Sequence, residues 1–398
     1  MNSQNSEMEI KNKDLVSLLT ASCSAGMFVF GIVMAILGAI LPELFENLRL
    51  ERIQAGNLFF FMNLGMLFST LFFGPVVDRF GFKIFLAVSS MIVSLSFAGL
   101  AFSSNYSYVL VSAIFLGLAG GGLNGGTNAL VNDLNPEKRA AALNFLGIFF
   151  GFGALLVPLL IGSLLKLTSL RMIILLASFL SLLPFVLFSI FNFPRPKQPQ
   201  GFPFKDVKKI IGSEILWLGA FILFFQSGNE FSVGGWLSSF FQEKFQLGAG
   251  HSALILSGYW LFLMLGRLVF SKLLGKVKRE IVVFLSAGLS LLALLGMILS
   301  PGKIAAAISA ILIGLGFAAI YPTTLSVIGE AFPNYSGTAF SLAIGTGLVG
   351  GMLSPWLIGR VSQHYSLTLA LFVPAFNLLM ILGLQGWLYS KLLKSGSN

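Results

Sequence analysis

Long apolar blocks, each broken by a short polar stretch, run the length of this chain. Blocks of spanning length fall at about 15–45, 54–78, 84–103, 108–132, 140–166 and 170–193, then at about 213–240, 250–275, 280–299, 304–330, 336–360 and 366–390. About 20 apolar residues suffice to cross the hydrocarbon layer as a helix, so the pattern predicts twelve membrane-spanning helices in two sets of six. Residues 1–14 read as a polar tail, 15–193 as a first six-helix bundle and 213–390 as a second, with a tail at 391–398. Between the bundles, 194–212 interleaves Pro194, Pro196, Pro199 and Pro203 with Arg195, Lys197, Lys205, Lys208 and Lys209, which reads as a basic linker. The first block is too long for the apolar core of a signal peptide. Cys23 lacks a lipidation context, because Thr20 stands where Leu would be expected.

Composition agrees with a bilayer as solvent. The chain is 56% hydrophobic and 10% charged, with a mean hydropathy of +0.90; a soluble chain carries about 25% charged residues. The net charge of +10 would suit nucleic acid, but its placement does not, because the basic residues sit in short loops between apolar blocks. Seven of them (Arg49, Arg52, Lys166, Arg171, Lys244, Lys303 and Arg360) lie on one side. Arg267 lies within a span, and the rest of the 25 fall on the other side. Cytoplasmic loops collect Lys and Arg, so both termini are expected inside, in an inner (plasma) membrane. With a single cysteine there is no disulfide framework within the chain and no Cys-based zinc site. His251 and His364 read as loop residues, which speaks against a His-based metal cluster.

The two halves repeat. Gly117-Leu118 recurs as Gly314-Leu315, Asp133 as Glu330, Pro136 as Pro333, Pro158 as Pro355 and Gly162 as Gly359, all at an offset of 197 residues, and Asn144 meets Ser341 at the same offset. Parallel repeats of this kind relate two bundles about an axis along the membrane normal.

Between the second and third blocks stands Gly74-Pro75-Val76-Val77-Asp78-Arg79-Phe80-Gly81-Phe82-Lys83. Gly74 suits close helix approach and Gly81 a sharp turn. Asp78, Arg79 and Lys83 could form a latch that breaks when helices separate. The stretch resembles the loop between helices 2 and 3 of the major facilitator superfamily, with Phe82 standing where a second basic residue is common. With twelve spans, the repeat and the central linker, the resemblance covers essentially the whole chain. It implies an all-α integral membrane protein of two six-helix bundles related by a pseudo-two-fold axis. It also implies secondary transport by alternating access, for which a monomer suffices. Arg267 after Gly266 resembles the second-half counterpart of the latch, and Asp133, Glu137 and Glu330 would pair with such arginines when the inside is closed.

Polar groups within spans are costly in lipid and usually face a cavity or a partner. Glu230, in the seventh span, is the one carboxylate placed well inside a block. In a low dielectric the charged form is penalised, which suits a group that takes up and releases a proton, so Glu230 is the candidate for proton or sodium coupling. The alternative is a structural carboxylate bonded to a neighbouring helix. Gln226 shares its face and Asn229 stands one position off. Asn124 and Asn128 repeat at four in the fourth span, and Asn144 lies in the fifth. Such amides suit a small neutral hydroxylated solute, or else bond across helices. Trp236, Tyr259, Trp260 and Tyr321 could offer flat faces to a sugar ring. The 197-residue offset sets Tyr321 level with Asn124.

Gly228-x-Glu230 with Gly235-Trp236-Leu237, Gly314-Leu315-Gly316 with Tyr321-Pro322, and Asn128 to Pro136-Glu137 with Asn144 resemble the fucose- and glucose-type sugar symporter branches. That implies cation-coupled uptake of a monosaccharide-like solute, with no bound cofactor. The fucose-type pattern carries acidic residues near the positions of Gly38 and Asn124, and this chain does not. Drug antiporter signatures, an Arg in the fourth span and a G-P-x-x-G-G run in the fifth, are absent. Drug efflux, lipid or glycolipid flipping, and a transport-fold receptor without flux stand as alternatives. No nucleophile–base pair, carboxylate cluster or metal cluster points to an enzyme.

Overall fold

The computed structural model describes residues 2–135, 138–193, 210–273, 278–333 and 335–395, all helices and short connections. The elements are α1 (Asn2–Leu48), α2 (Arg52–Ala101), α3 (Tyr106–Leu134), α4 (Arg139–Leu164), α5 (Leu170–Ile190), α6 (Glu214–Phe245), α7 (Ala249–Leu273), α8 (Arg279–Leu299), α9 (Lys303–Ala331), α10 (Ser336–His364), α11 (Leu367–Ala370) and α12 (Phe372–Ser395). Most of the basic linker, 194–209, lies outside the described residues, as do Pro136 and Glu137.

Three elements depart from the block pattern. The tail before residue 15 is helical and continuous with α1. α2 holds two spans: at 50 residues it would be roughly 75 Å long if straight, far beyond one bilayer crossing. It turns at Gly81, where φ is 81°, a conformation that glycine alone adopts without steric cost. Thus the 74–83 stretch is helix bent at a single residue, in place of a loop. The last span is split at Leu371 into α11 and α12. His251 and His364 stand in the terminal turns of α7 and α10, not in loops.

Ten helices among the described residues are apolar and long enough to span, with α2 as one of them. Among the long helices the one that falls short is α6, whose centre carries Gln226, Ser227, Asn229, Glu230 and Ser232. It is nonetheless buried on all sides from Gln226 to Phe241. Only a helix walled off from lipid by its neighbours can carry so many polar groups at that depth.

The repeat seen in the sequence reappears as packing. α1 lies along α4 and α6 along α10. Across the two halves, α2 packs on α10 and α4 on α7. A Cβ on Gly117 would strike the carbonyl oxygen of Met62, and one on Gly314 that of Tyr259. Both members of the second pair stand 197 residues after those of the first, so each half uses the same glycine-mediated crossing.

The halves meet on the side away from the chain termini. There a Cβ on Gly38 would collide with the Gly234 carbonyl, Gly56 faces Trp356 and Gly359, and Gly162 faces Leu254 and Gly250. The Trp356 indole N–H donates to Asn57 Oδ1 at 3.1 Å. At mid-depth Met264 presses on Gly151, and one turn nearer the termini Gly147 has nothing within 4 Å. The ion pairs on the terminal side, Arg279–Glu330 and Lys391–Glu214, each join helices of the second half. The described residues therefore form a V, closed away from the termini and open toward them.

Candidate functional site

Between the arms of the V lies a cavity of about 470 Å³. Its wall brings together several residues singled out in the sequence: Asn124 and Asn128 from α3, Asn144 from α4, Glu230 from α6, Arg267 from α7 and Tyr321 from α9. Thr70 and Ser227 add hydroxyls. The remaining lining is apolar and rich in Met and Phe, including Met27, Met34, Met66, Met264, Phe30 and Phe150. Among the described residues, Glu230 and Arg267 are the only charged side chains on this wall.

The asparagine row behaves as its spacing requires. Asn128 Nδ2 donates to Asn124 Oδ1 at 2.9 Å and to the Asn124 carbonyl at 2.8 Å, as side chains four apart on a helix can. This internal bond pre-orients both amides toward the space between the halves. Pro322 follows Tyr321 on the wall; it has no N–H, so a carbonyl one turn back loses its helical partner.

Glu230 is held by two groups. Gln226 Nε2 donates to its Oε1 at 3.1 Å, and Arg267 Nη2 stands 3.7 Å from its Oε2. The same Gln226 nitrogen also reaches the Phe317 carbonyl at 3.4 Å. The Arg267 guanidinium lies over the Phe150 ring, 5.4 Å from its centroid, across the interface between halves. Arg267, assigned by its sequence context to the cytoplasmic latch, is instead the counter-ion of the cavity carboxylate. Sequence spacing could not show this, since the two residues lie on different helices.

Other sequence candidates stand outside the cavity wall in this conformation. Trp236 is fully buried; its N–H donates to the Pro355 carbonyl at 3.2 Å, and its ring packs on Phe45 and Phe59 of the other half. Trp260 meets Phe150 edge-on, and Tyr259 packs against Trp260 and Phe317. These rings floor the closed end. Asn229 is fully buried, and neither of its amide atoms has a partner. An orphaned buried group costs roughly 1–3 kcal/mol, a penalty that Asn229 bears here without compensation. An acidic side chain at Gly38 is sterically excluded here by the Gly234 carbonyl, which accounts for the glycine where the fucose-type pattern has an acid.

The latch stretch is disengaged. Among the described residues Asp78 has no ion-pair partner, Arg79 lies over the neighbouring Phe80 ring, and a Cβ on Gly74 would meet open space. Lys83 borders a shallow groove with Ile84 and Phe185. Glu330 pairs with Arg279 of its own half, and Asp133 sits in the last turn of α3. An open terminal side is what this geometry requires.

The opposite side has a lock that the sequence did not suggest. Arg52 Nη2 lies 2.6 Å from Glu243 Oε2 across the halves. The Arg52 backbone N–H donates to Gln363 Oε1 at 2.9 Å, and the Leu367 N–H donates to Glu243 Oε1 at 3.4 Å. A partly exposed pair is worth about 0.2–1 kcal/mol. Glu243→Gln should therefore raise the open population of this side by up to about fivefold. The readout is maleimide labelling of a Leu50→Cys reporter in purified protein, since Leu50 borders the same vestibule and is buried when it is closed. Unchanged labelling would show that the pair does not hold the halves together.

A closed-at-one-end, two-bundle helical protein with a central cavity defines the class: a membrane transport protein. Residues 23–355 match the pattern of the Major Facilitator Superfamily, and the chain belongs to that family. Like its family it is a multi-pass transporter and not an enzyme. It is 25% identical over 353 residues to the glucose/mannose transporter GlcP of Bacillus subtilis (84% of this chain, 86% of the relative). It is 24% identical over 371 residues to a protein TsgA homolog of Buchnera aphidicola (91% and 93%). Among solved structures it is similar, with a TM-score of 0.81 and 12% identity, to an inward-facing, occupied bacterial homolog of the human lysosomal transporter Spinster. That alignment covers 95% of this chain and 97% of the other.

Proposed function

We propose that the protein is an alternating-access, cation-coupled importer of a small hydroxylated solute such as a monosaccharide, with both termini cytoplasmic and Glu230 as the coupling group. The observation that carries this reading is the cavity wall itself: Asn124, Asn128, Asn144 and Tyr321 supply neutral donors and acceptors from both halves, around a single carboxylate. Neutral amides match hydroxyls, and groups drawn from both halves allow a solute to report its presence to each. The similarity to a glucose/mannose transporter points the same way, and the excess of basic loops on the terminal side supports an inward-open state here.

The Met- and Phe-rich remainder of the wall favours a second reading, in which an amphipathic drug or a lipid is the cargo. Thermal stabilisation separates the two. A ligand that binds only the folded state at 100 times its Kd adds about 2.7 kcal/mol. Purified protein should be stabilised by a hexose and not by lysolipids or cationic drugs. Stabilisation by lipids or drugs alone would remove the sugar reading and return Asn124 and Asn128 to a structural role. Uptake of the stabilising solute by proteoliposomes then separates a transporter from a receptor.

A further inference from the structure

We propose that the preferred solute carries a carboxylate beside its hydroxyls, and that Arg267 is its receptor. This rests on the hydroxylated-solute reading and adds a charge to it. A guanidinium has five N–H donors in a planar fork. Here none has a hydrogen-bond acceptor among the described residues: the Glu230 oxygen at 3.7 Å is beyond bonding length, and Nε is buried with no partner. One face of the fork is covered by Phe150, while the group still borders the cavity. A cation with unused donors, set over an aromatic ring at the wall of a site, is suited to a planar anion. A carboxylate accepts two parallel N–H bonds from such a fork, a match that a neutral hydroxyl cannot make.

The charge balance then links solute to proton. With Glu230 ionised, its pair with Arg267 carries no net charge. A carboxylate entering alone would set two anions against one guanidinium in a low-dielectric cavity, which disfavours one of the charged forms. If Glu230 takes a proton from the water on the open side, the solute carboxylate replaces it on Arg267 and the site is neutral again. One proton and one monoanion move together. The other titratable groups near Glu230 are Tyr259 of α7 and Tyr321 of α9. α1, α3, α4 and α10 contribute no charged side chain to the wall among the described residues.

The test uses purified full-length protein and three probes: D-glucose, D-glucuronate, which bears a carboxylate on the same ring, and benzoate, a carboxylate without hydroxyls. Glucuronate should stabilise most, and more at pH 5.5 than at pH 8. Arg267→Gln should remove its effect, and Arg267→Lys should keep part of it. If Arg267→Gln does not fold, the lysine variant and the pH dependence of the unmodified protein carry the test. Stabilisation by glucose and not by glucuronate overturns the proposal and leaves the sugar reading standing. Stabilisation by benzoate alone keeps the carboxylate receptor and removes the hydroxylated solute. No response to any probe overturns both.

Discussion

Gly117→Ala and Gly314→Ala should each destabilise the protein by about 3 kcal/mol, the top of the range for an added methyl in a packed interior. Each new Cβ would fall on a backbone carbonyl oxygen, Met62 and Tyr259 respectively, and a carbonyl in a helix cannot turn aside as a side chain can. Helices in lipid associate through close van der Waals contact, without a hydrophobic driving force between them. Pushing α3 off α2, or α9 off α7, therefore removes what holds each pair. Gly383→Ala is the control: its Cβ meets nothing within 4 Å, and exchanging Gly for Ala in a helix is worth up to about 1 kcal/mol in favour of Ala. Size-exclusion chromatography after a heating series should show both crossing variants melting well below the parent and Gly383→Ala at or above it. Equal melting of the three would mean that the crossings are looser than the structure has them.

What the sequence could show follows from the range of the signals involved. Span number, the two-fold repeat and Gly81 as a turning point are local or periodic features, and each is legible in the order of residues. Glu230 was legible for the same reason, since one carboxylate within an apolar block stands out without reference to any neighbour. Its counter-ion was not: Arg267 lies 37 residues further on, and only the crossing of α6 and α7 shows that they meet. Trp236, Tyr259 and Trp260 illustrate a second limit. Within a helix bundle, an aromatic ring faces a cavity, a neighbour or lipid according to helix rotation, and composition does not record rotation. Gly38 shows a third. Its value lies in contact with Gly234 of the other half, so it reads from sequence as a missing acid when it is a contact point between the two halves.

Glu230→Gln should abolish concentrative uptake while sparing exchange. In proteoliposomes given an inward proton gradient, accumulation of whichever solute stabilises the protein should fall at least about tenfold, the equivalent of about 1.4 kcal/mol. Solute counterflow without a gradient should stay within about threefold. The glutamine has the same shape and still offers an oxygen to Gln226 Nε2, so the local hydrogen bond of 3.1 Å can persist. What it cannot do is change charge, and coupling to a cation requires a charge that changes. The substitution also leaves Arg267 without its counter-ion at the cavity wall, and an unpaired cation there carries its own penalty. If counterflow falls as well, the double variant Glu230→Gln/Arg267→Gln distinguishes the causes, because residues in contact reveal their coupling as non-additivity. Recovery of exchange in the double variant would assign the loss to the stranded guanidinium. Undiminished accumulation by Glu230→Gln alone would show that coupling lies elsewhere and that the carboxylate serves to hold α6 against α7.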